Sequence, residues 1–217
     1  MINASTPSIR LGAGLEIGYG RPLARAEQEI SLSGGTHFLL ARNGRGKTTL
    51  LRTLAKTLKK VSGAFEASGF TQYLPEDLRF DPEISSKAIF TAMLLKERLT
   101  DALALAKDIE LDTSKAYGRL STGNRRKASL IIAEFSVRSG HGNILLLDEP
   151  FSGLDTHARQ AFEALWKNSD SQVLRLVSCH PDYDSMPMPS AVVIEQGKIS
   201  HLAETGQTWS TLKSLLN

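Results

Sequence analysis

The stretch Ala41-Arg42-Asn43-Gly44-Arg45-Gly46-Lys47-Thr48-Thr49 constrains this chain more than any other part of it. It follows a compact apolar run, His37 to Ala41, and precedes Leu50, Leu51, Leu54 and Leu58, which recur at helical spacing up to Lys60. A buried strand, a glycine-rich turn and a helix in that order make a phosphate-binding loop. Its glycines let backbone amides turn inward onto phosphate oxygens. Lys47 can neutralise charge between terminal phosphates, and the Thr48 hydroxyl can ligate a magnesium ion. The helix starting near Lys47 adds the positive end of its dipole. One position departs from G-x-x-x-x-G-K-[ST]: the first glycine is Ala41, where strain is expected if the backbone needs positive φ.

A second motif closes another buried strand. Ile144-Leu145-Leu146-Leu147 delivers Asp148 and Glu149 just before Pro150, and strand ends are where open α/β sheets bind ligands. Asp148 can hold magnesium through water. Glu149, one residue on, can orient and polarise the water that attacks a phosphoryl group.

The rest of the pattern supplies a frame for these loops. Leu15 to Tyr19, Gln28 to Leu32, Ala64 to Glu66 and Phe70 to Leu74 read as strands, and Pro75 ends strand pairing. Ser85 to Ile109 shifts to Ala, Leu, Met, Lys and Glu, predicting a small helical insert with a break where Thr100 caps a second helix. A further helix runs from Leu120 to about Arg138. Asn143 to Leu147, Gln172 to Ser178 and Ala191 to Glu195 are continuous apolar runs of the kind buried on both faces of a parallel sheet. Helices at Thr156 to Asn168 and near Thr208 to Leu216 would cover that sheet.

Composition sets bounds. The 217 residues are 41% apolar and 23% charged, enough for a real core. Lys plus Arg number 26 against 23 Asp plus Glu, too small an excess to predict a polyanion-coating surface. The one cysteine, Cys179, can form no intrachain disulfide, which fits a reducing cytoplasm. No apolar run approaches the roughly 20 residues of a membrane-spanning helix. Met1 to Arg10 lacks the pattern of a secretory leader, so the chain is expected to stay in the cytoplasm. His37, His141, His157 and His201 occur singly in the sequence and predict no metal site. Arg125-Arg126-Lys127 reads as a solvated helix start, and Met186 and Met188 as a loop.

Taken with these motifs, Leu120-Ser121-Thr122-Gly123-Asn124 resembles the L-S-G-G-Q signature of ATP-binding cassette (ABC) ATPases, with Thr122 and Asn124 as departures. Ser152-Gly153-Leu154-Asp155 is similar to the family's D-loop, and Ser178-Cys179-His180 to its switch histidine. Tyr19, 22 residues before Ala41, matches the aromatic residue that stacks on adenine. Tyr73-Leu74-Pro75-Glu76 aligns with the Q-loop, so Glu76 stands where glutamine is usual, and a carboxylate there can still ligate magnesium or its water.

The resemblance implies an α/β fold: a phosphate-loop NTPase core with a mainly parallel sheet, an N-terminal antiparallel β part and a small helical subdomain. It implies one domain over residues 1–217 with the helical subdomain at about 77–139. ATP and Mg2+ are the implied cofactors, bound by Tyr19, Arg42 to Thr49, Glu76, Ser121 to Asn124 and Asp155. Thr48, Asp148 and Glu76 are the implied metal ligands, and Glu149, His180 and Lys47 the implied catalytic groups. The family works as a head-to-tail homodimer, or as a heterodimer with another ABC ATPase subunit, bound to transmembrane permease subunits on the inner face of the cell membrane. Y-L-P-E and L-S-T-G, with the short helical insert, also resemble small export ATPases such as the haem-exporter subunit. The alternative is a soluble ABC ATPase acting on nucleic acid or ribosomes; that class usually carries two cassettes or a coiled-coil insert, and nucleic acid is the less expected partner here. A cassette that binds ATP without hydrolysing it is a third alternative, left open by Ala41.

Overall fold

The computed structural model describes residues 6–167, 171–179 and 186–216. Four short strands open the chain, β1 (Ser8–Leu11), β2 (Glu16–Gly18), β3 (Pro22–Ala26) and β4 (Ile30–Ser33), ahead of β5 (Gly35–Ala41) and helix α1 (Lys47–Leu54). β6 (Phe65–Ser68) and β7 (Phe70–Leu74) lead into α2 (Ser86–Met93), α3 (Lys96–Asp108) and α4 (Thr122–Phe135). Then follow β8 (Asn143–Leu147), α5 (Thr156–Lys167), β9 (Val173–Ser178), β10 (Ser190–Glu195), β11 (Lys198–Ala203) and α6 (Trp209–Lys213). Two compact units result, one of Met1–Tyr73, Gly140–Glu149 and Asp170–Asn217, the other of Leu74–Ser139 and Pro150–Ser169.

The first unit carries two sheets among the described residues, ordered β2-β3-β11-β10-β5-β9-β8-β7 and β4-β1-β6. β5 runs parallel to β9 and β10, and β8 parallel to β9, so the centre is the parallel sheet its apolar runs predict. β8 and β9 are buried at every position, as strands covered on both faces must be. The smaller sheet is antiparallel and supplies the expected N-terminal β part.

β1, β3 and β11 are not predicted from pattern. In β3 and β11 only Ala24, Ala26 and Ile199 are buried, too few to show a period. What creates β11 is a turn: Gln196 (φ 47°) and Gly197 (φ 77°) both adopt left-handed backbone and pair Glu195 with Lys198 in a two-residue hairpin. The larger sheet brings two of the histidines to a common partner. His37 Nδ1 and His201 Nε2 lie 2.7 and 2.8 Å from one hydroxyl, Ser190 Oγ, and burial pushes both imidazoles below their ordinary range. Met186 and Met188, read as loop, are buried and bond through their backbones to Trp209 and Gln207.

α1 stops at Leu54, short of Lys60. Lys56 adopts φ 60°, its amide bonds the Thr53 carbonyl and that of Thr57 bonds the Arg52 carbonyl, a Schellman closure that ends the helix although leucine spacing continues.

In the second unit, Ser85 caps α2 by accepting from the Ala88 amide at 3.2 Å. The break between α2 and α3 falls at Leu94 and Leu95, both extended, and not at Thr100, which sits within α3. Leu94 is buried while Thr100 is exposed, so placing an apolar side chain inside outweighed a capping hydroxyl. α4 ends at Phe135, three residues before Arg138, and is buried without interruption from Arg126 to Phe135. Among the described residues no helix is long and apolar enough to cross a membrane.

Leu146, fully buried in β8, tests the central strand. Leu146→Ala should cost about 2–5 kcal/mol of stability, read as a lower urea midpoint at an unchanged slope.

Candidate active site

Ala41 completes β5, registers with Ile194 of β10 and is absent from the residues with positive φ. The strain expected there does not arise. Left-handed backbone falls instead on Gly44 (φ 74°) and Gly46 (φ 113°), where no side chain opposes it. Arg42, Asn43, Gly44 and Arg45 are exposed, Thr48 is half-buried and Thr49 is buried. Gly46 is the N-cap of α1 and brings no side chain to the amides of the first turn, which are the donors an anion takes up at a helix start.

Lys47 turns back from α1. Its ammonium donates to the Ala41 carbonyl at 3.1 Å and lies 3.4 Å from Glu149 Oε1, with side chains 8% and 12% exposed. Glu149 itself has φ 48°, a conformation that costs a non-glycine residue on the order of 1–3 kcal/mol. Its amide is held by Ser178, donating to the hydroxyl oxygen at 2.7 Å, and the same hydroxyl donates to Asp148 Oδ1 at 2.8 Å. Tyr73 donates to the other oxygen, Oδ2, at 3.1 Å. Burial, opposed by Arg52, pushes the Tyr73 phenol up to about 12, so it keeps its proton at neutral pH. Asp148 is 1% exposed.

The second unit holds the signature and D-loop residues. Ser121 caps α4, accepting from the Asn124 amide at 3.2 Å; Ser121 and Thr122 are exposed, and Gly123 and Asn124 half-buried. A Cβ on Gly123 would meet the Gly153 carbonyl oxygen at 2.5 Å, so the signature turn and the D-loop touch where only glycine fits. Asp155 caps α5 through the Ala158 amide at 2.8 Å and pairs with Lys127 at 2.6 Å; the amide bond first and the ammonium second hold its carboxyl below the usual range. Arg126 donates to the carbonyls of Pro75 and Glu76, and Lys127 to that of Ile109. At 8% and 6% exposed, Arg126 and Lys127 are not the solvated helix start their charge suggests. Glu76 is exposed.

Of the residues singled out from sequence, the first unit gathers Lys47, Asp148 and Glu149, with Thr48 next to Lys47 on α1. Tyr19, in the same unit, is 63% exposed. Glu76, Ser121 to Asn124 and Asp155 belong to the second unit. His180 lies outside the described residues. Sequence reasoning gave Ser178 and Tyr73 no role. Ser178 was within reach, because parallel pairing of Leu147 with Val177 puts Ser178 beside Asp148. Tyr73 carries no comparable signal.

The family model for the ABC transporter matches residues 29–152. An uncharacterized ABC transporter ATP-binding protein of Methanocaldococcus jannaschii is 34% identical over 128 residues, 54% of this chain and 46% of that protein. The chain spans less than half the length of that relative. The aliphatic sulfonates import ATP-binding protein of Corynebacterium glutamicum is 30% identical over 200 residues, covering 87% of this chain and 81% of that one. A bacterial Atm1-family ABC exporter with ATP bound shares the fold at a TM-score of 0.74 and 15% identity, over 98% of this chain and 42% of the exporter. Phosphate loop, Asp148-Glu149 strand end and capped signature helix therefore sit in the fold and sequence of one family, and the chain belongs to the ABC transporter family as an ATP-binding cassette.

Proposed function

We propose that this chain is the magnesium-dependent ATP-hydrolysing subunit of a transporter, driving separate membrane subunits from the cytoplasmic face of the membrane. The observation that carries the reading is the meeting of Lys47 and Glu149 at 3.4 Å, beside a buried Asp148, at the uncapped start of α1. A buried cation at a helix N-terminus suits a polyphosphate, whose charge would take over from Glu149 as partner of the Lys47 ammonium.

Thr48 and Asp148 offer a hydroxyl and a carboxylate, hard oxygen donors of the kind Mg2+ selects. When bound, the ion supplies charge neutralisation across the terminal phosphates. The amides of Gly44 to Thr48 orient those phosphates, and Glu149, released from Lys47, accepts a proton from the attacking water or polarises it. Ser178 holds the Glu149 backbone and the Asp148 carboxylate together, so the base keeps its place relative to the metal-side oxygens.

In this reading the signature residues Ser121 to Asn124 of a second copy or a related subunit close over the nucleotide, with Asp155 at the interface and Glu76 and His180 completing the site. Tyr19 stacks on adenine; its exposed ring is open to a base. ATP bound by both faces favours the closed pair, and hydrolysis removes that bridge. A relative is named for import and a neighbour in fold for export, so the reading commits to no direction of transport. Enclosure of Arg126 and Lys127 by their own unit leaves little of that basic run for a nucleic acid.

Three measurements test the reading. Lys47→Ala should weaken ATP binding about 10- to 100-fold, the worth of one charge-assisted hydrogen bond, and unchanged affinity by calorimetry would contradict the loop assignment. Tyr19→Ala should bind ATP more weakly than Tyr19→Phe, since the ring face and not the hydroxyl meets the base; equal affinities would remove Tyr19 from the site. Glu149→Gln should retain ATP while turnover falls about 100- to 10,000-fold, and should accumulate as an ATP-bound dimer by light scattering. Full turnover in that variant would sink the assignment of the base.

A further inference from the structure

A role for Tyr73 follows if Asp148 is the magnesium-side carboxylate proposed above, and it rests on that reading. An ionised carboxylate has about four lone-pair positions, two on each oxygen. In Asp148 one oxygen accepts the Ser178 hydroxyl at 2.8 Å and the other the Tyr73 hydroxyl at 3.1 Å. A donor on each side fixes the carboxylate plane and leaves a lone pair on each oxygen for a metal or its water. Asp148 is nearly closed to solvent, so bulk water does not readily replace a lost donor.

Tyr73 is itself restrained. It lies near the end of β7, half-buried and packed against the core of its unit. Arg52, on α1, interacts with its phenol and, more weakly, with that of Tyr19.

We propose that Tyr73 is a positioning residue whose hydroxyl holds the Oδ2 side of Asp148 in the orientation that receives Mg2+ or its bound water. Ser178 does the same on the Oδ1 side while also holding the Glu149 amide. A ring at position 73 that served only as packing would work equally well as phenylalanine. A donor to a metal-ligating carboxylate would not, because such partners typically carry 10- to 100-fold in metal affinity.

Tyr73→Phe separates the two. ATP affinity is measured by calorimetry in EDTA and across a Mg2+ titration, and Mn2+ binding to the ATP complex by electron paramagnetic resonance. The expected result is unchanged affinity in EDTA, a modestly lower melting temperature, and about a tenfold rise in the metal concentration needed for half effect, seen with both ions. Superimposable metal titrations for Tyr73→Phe and the unaltered protein would overturn the role. Should the phenylalanine variant not fold, Tyr73→Met, which also lacks the hydroxyl, takes its place with the same expected shift and the same overturning result. Equal ATP affinity of the unaltered protein with and without Mg2+ would instead remove the metal site at Asp148 and this role with it. No ATP binding in either medium would remove the nucleotide reading.

Discussion

Everything at the site depends on the register of three neighbouring parallel strands. β5 pairs with β9 so that Leu39 faces Ser178, and β8 pairs with β9 so that Leu147 faces Val177. Ala41, Ser178 and Asp148 consequently emerge at the same edge of the sheet. A slip of one residue between β8 and β9 would exchange the two faces of a strand and carry Ser178 away from Asp148. Burial enforces the register: apolar side chains from β5, β8 and β9 join one core, and each exposed by a slip forfeits about 25 cal/mol per Å² of apolar surface.

Having brought charges to a buried edge, the fold must compensate them. Lys47 and Glu149 neutralise each other, and Asp148 accepts two hydroxyls, because a buried charge left alone costs several kcal/mol. The pairing need not add stability to be useful. Its effect is to hold the Lys47 side chain close to the start of α1. Glu149 reaches it only by adopting left-handed backbone, a conformation that the bond from its amide to Ser178 helps to hold.

The second unit applies the same economy to its basic residues. Arg126 and Lys127 look like surface charges in sequence, yet each satisfies backbone carbonyls, and Lys127 also pairs with the carboxylate that caps α5. Helix α4, the backbone at Pro75 and Glu76 and the turn before α5 are therefore joined within one unit by two cations and by the close approach of Gly123 to Gly153.

Sequence alone determined the elements with strong local signals. Continuous apolar runs marked β5, β8 and β9 because strands covered on both faces have no polar period, and the spacing of glycines, Lys47 and Thr48 marked the phosphate loop because backbone geometry permits few alternatives. Only the tertiary structure decided the rest. β11 exists through a two-residue turn and a partner strand; α1 ends at Leu54, closed by left-handed Lys56 against its own leucine spacing; Leu94 places the break that Thr100 seemed to offer. Tyr73 donates to Asp148 across a separation of 75 positions. Contacts between such distant positions follow from sheet order and burial, which a local pattern does not contain.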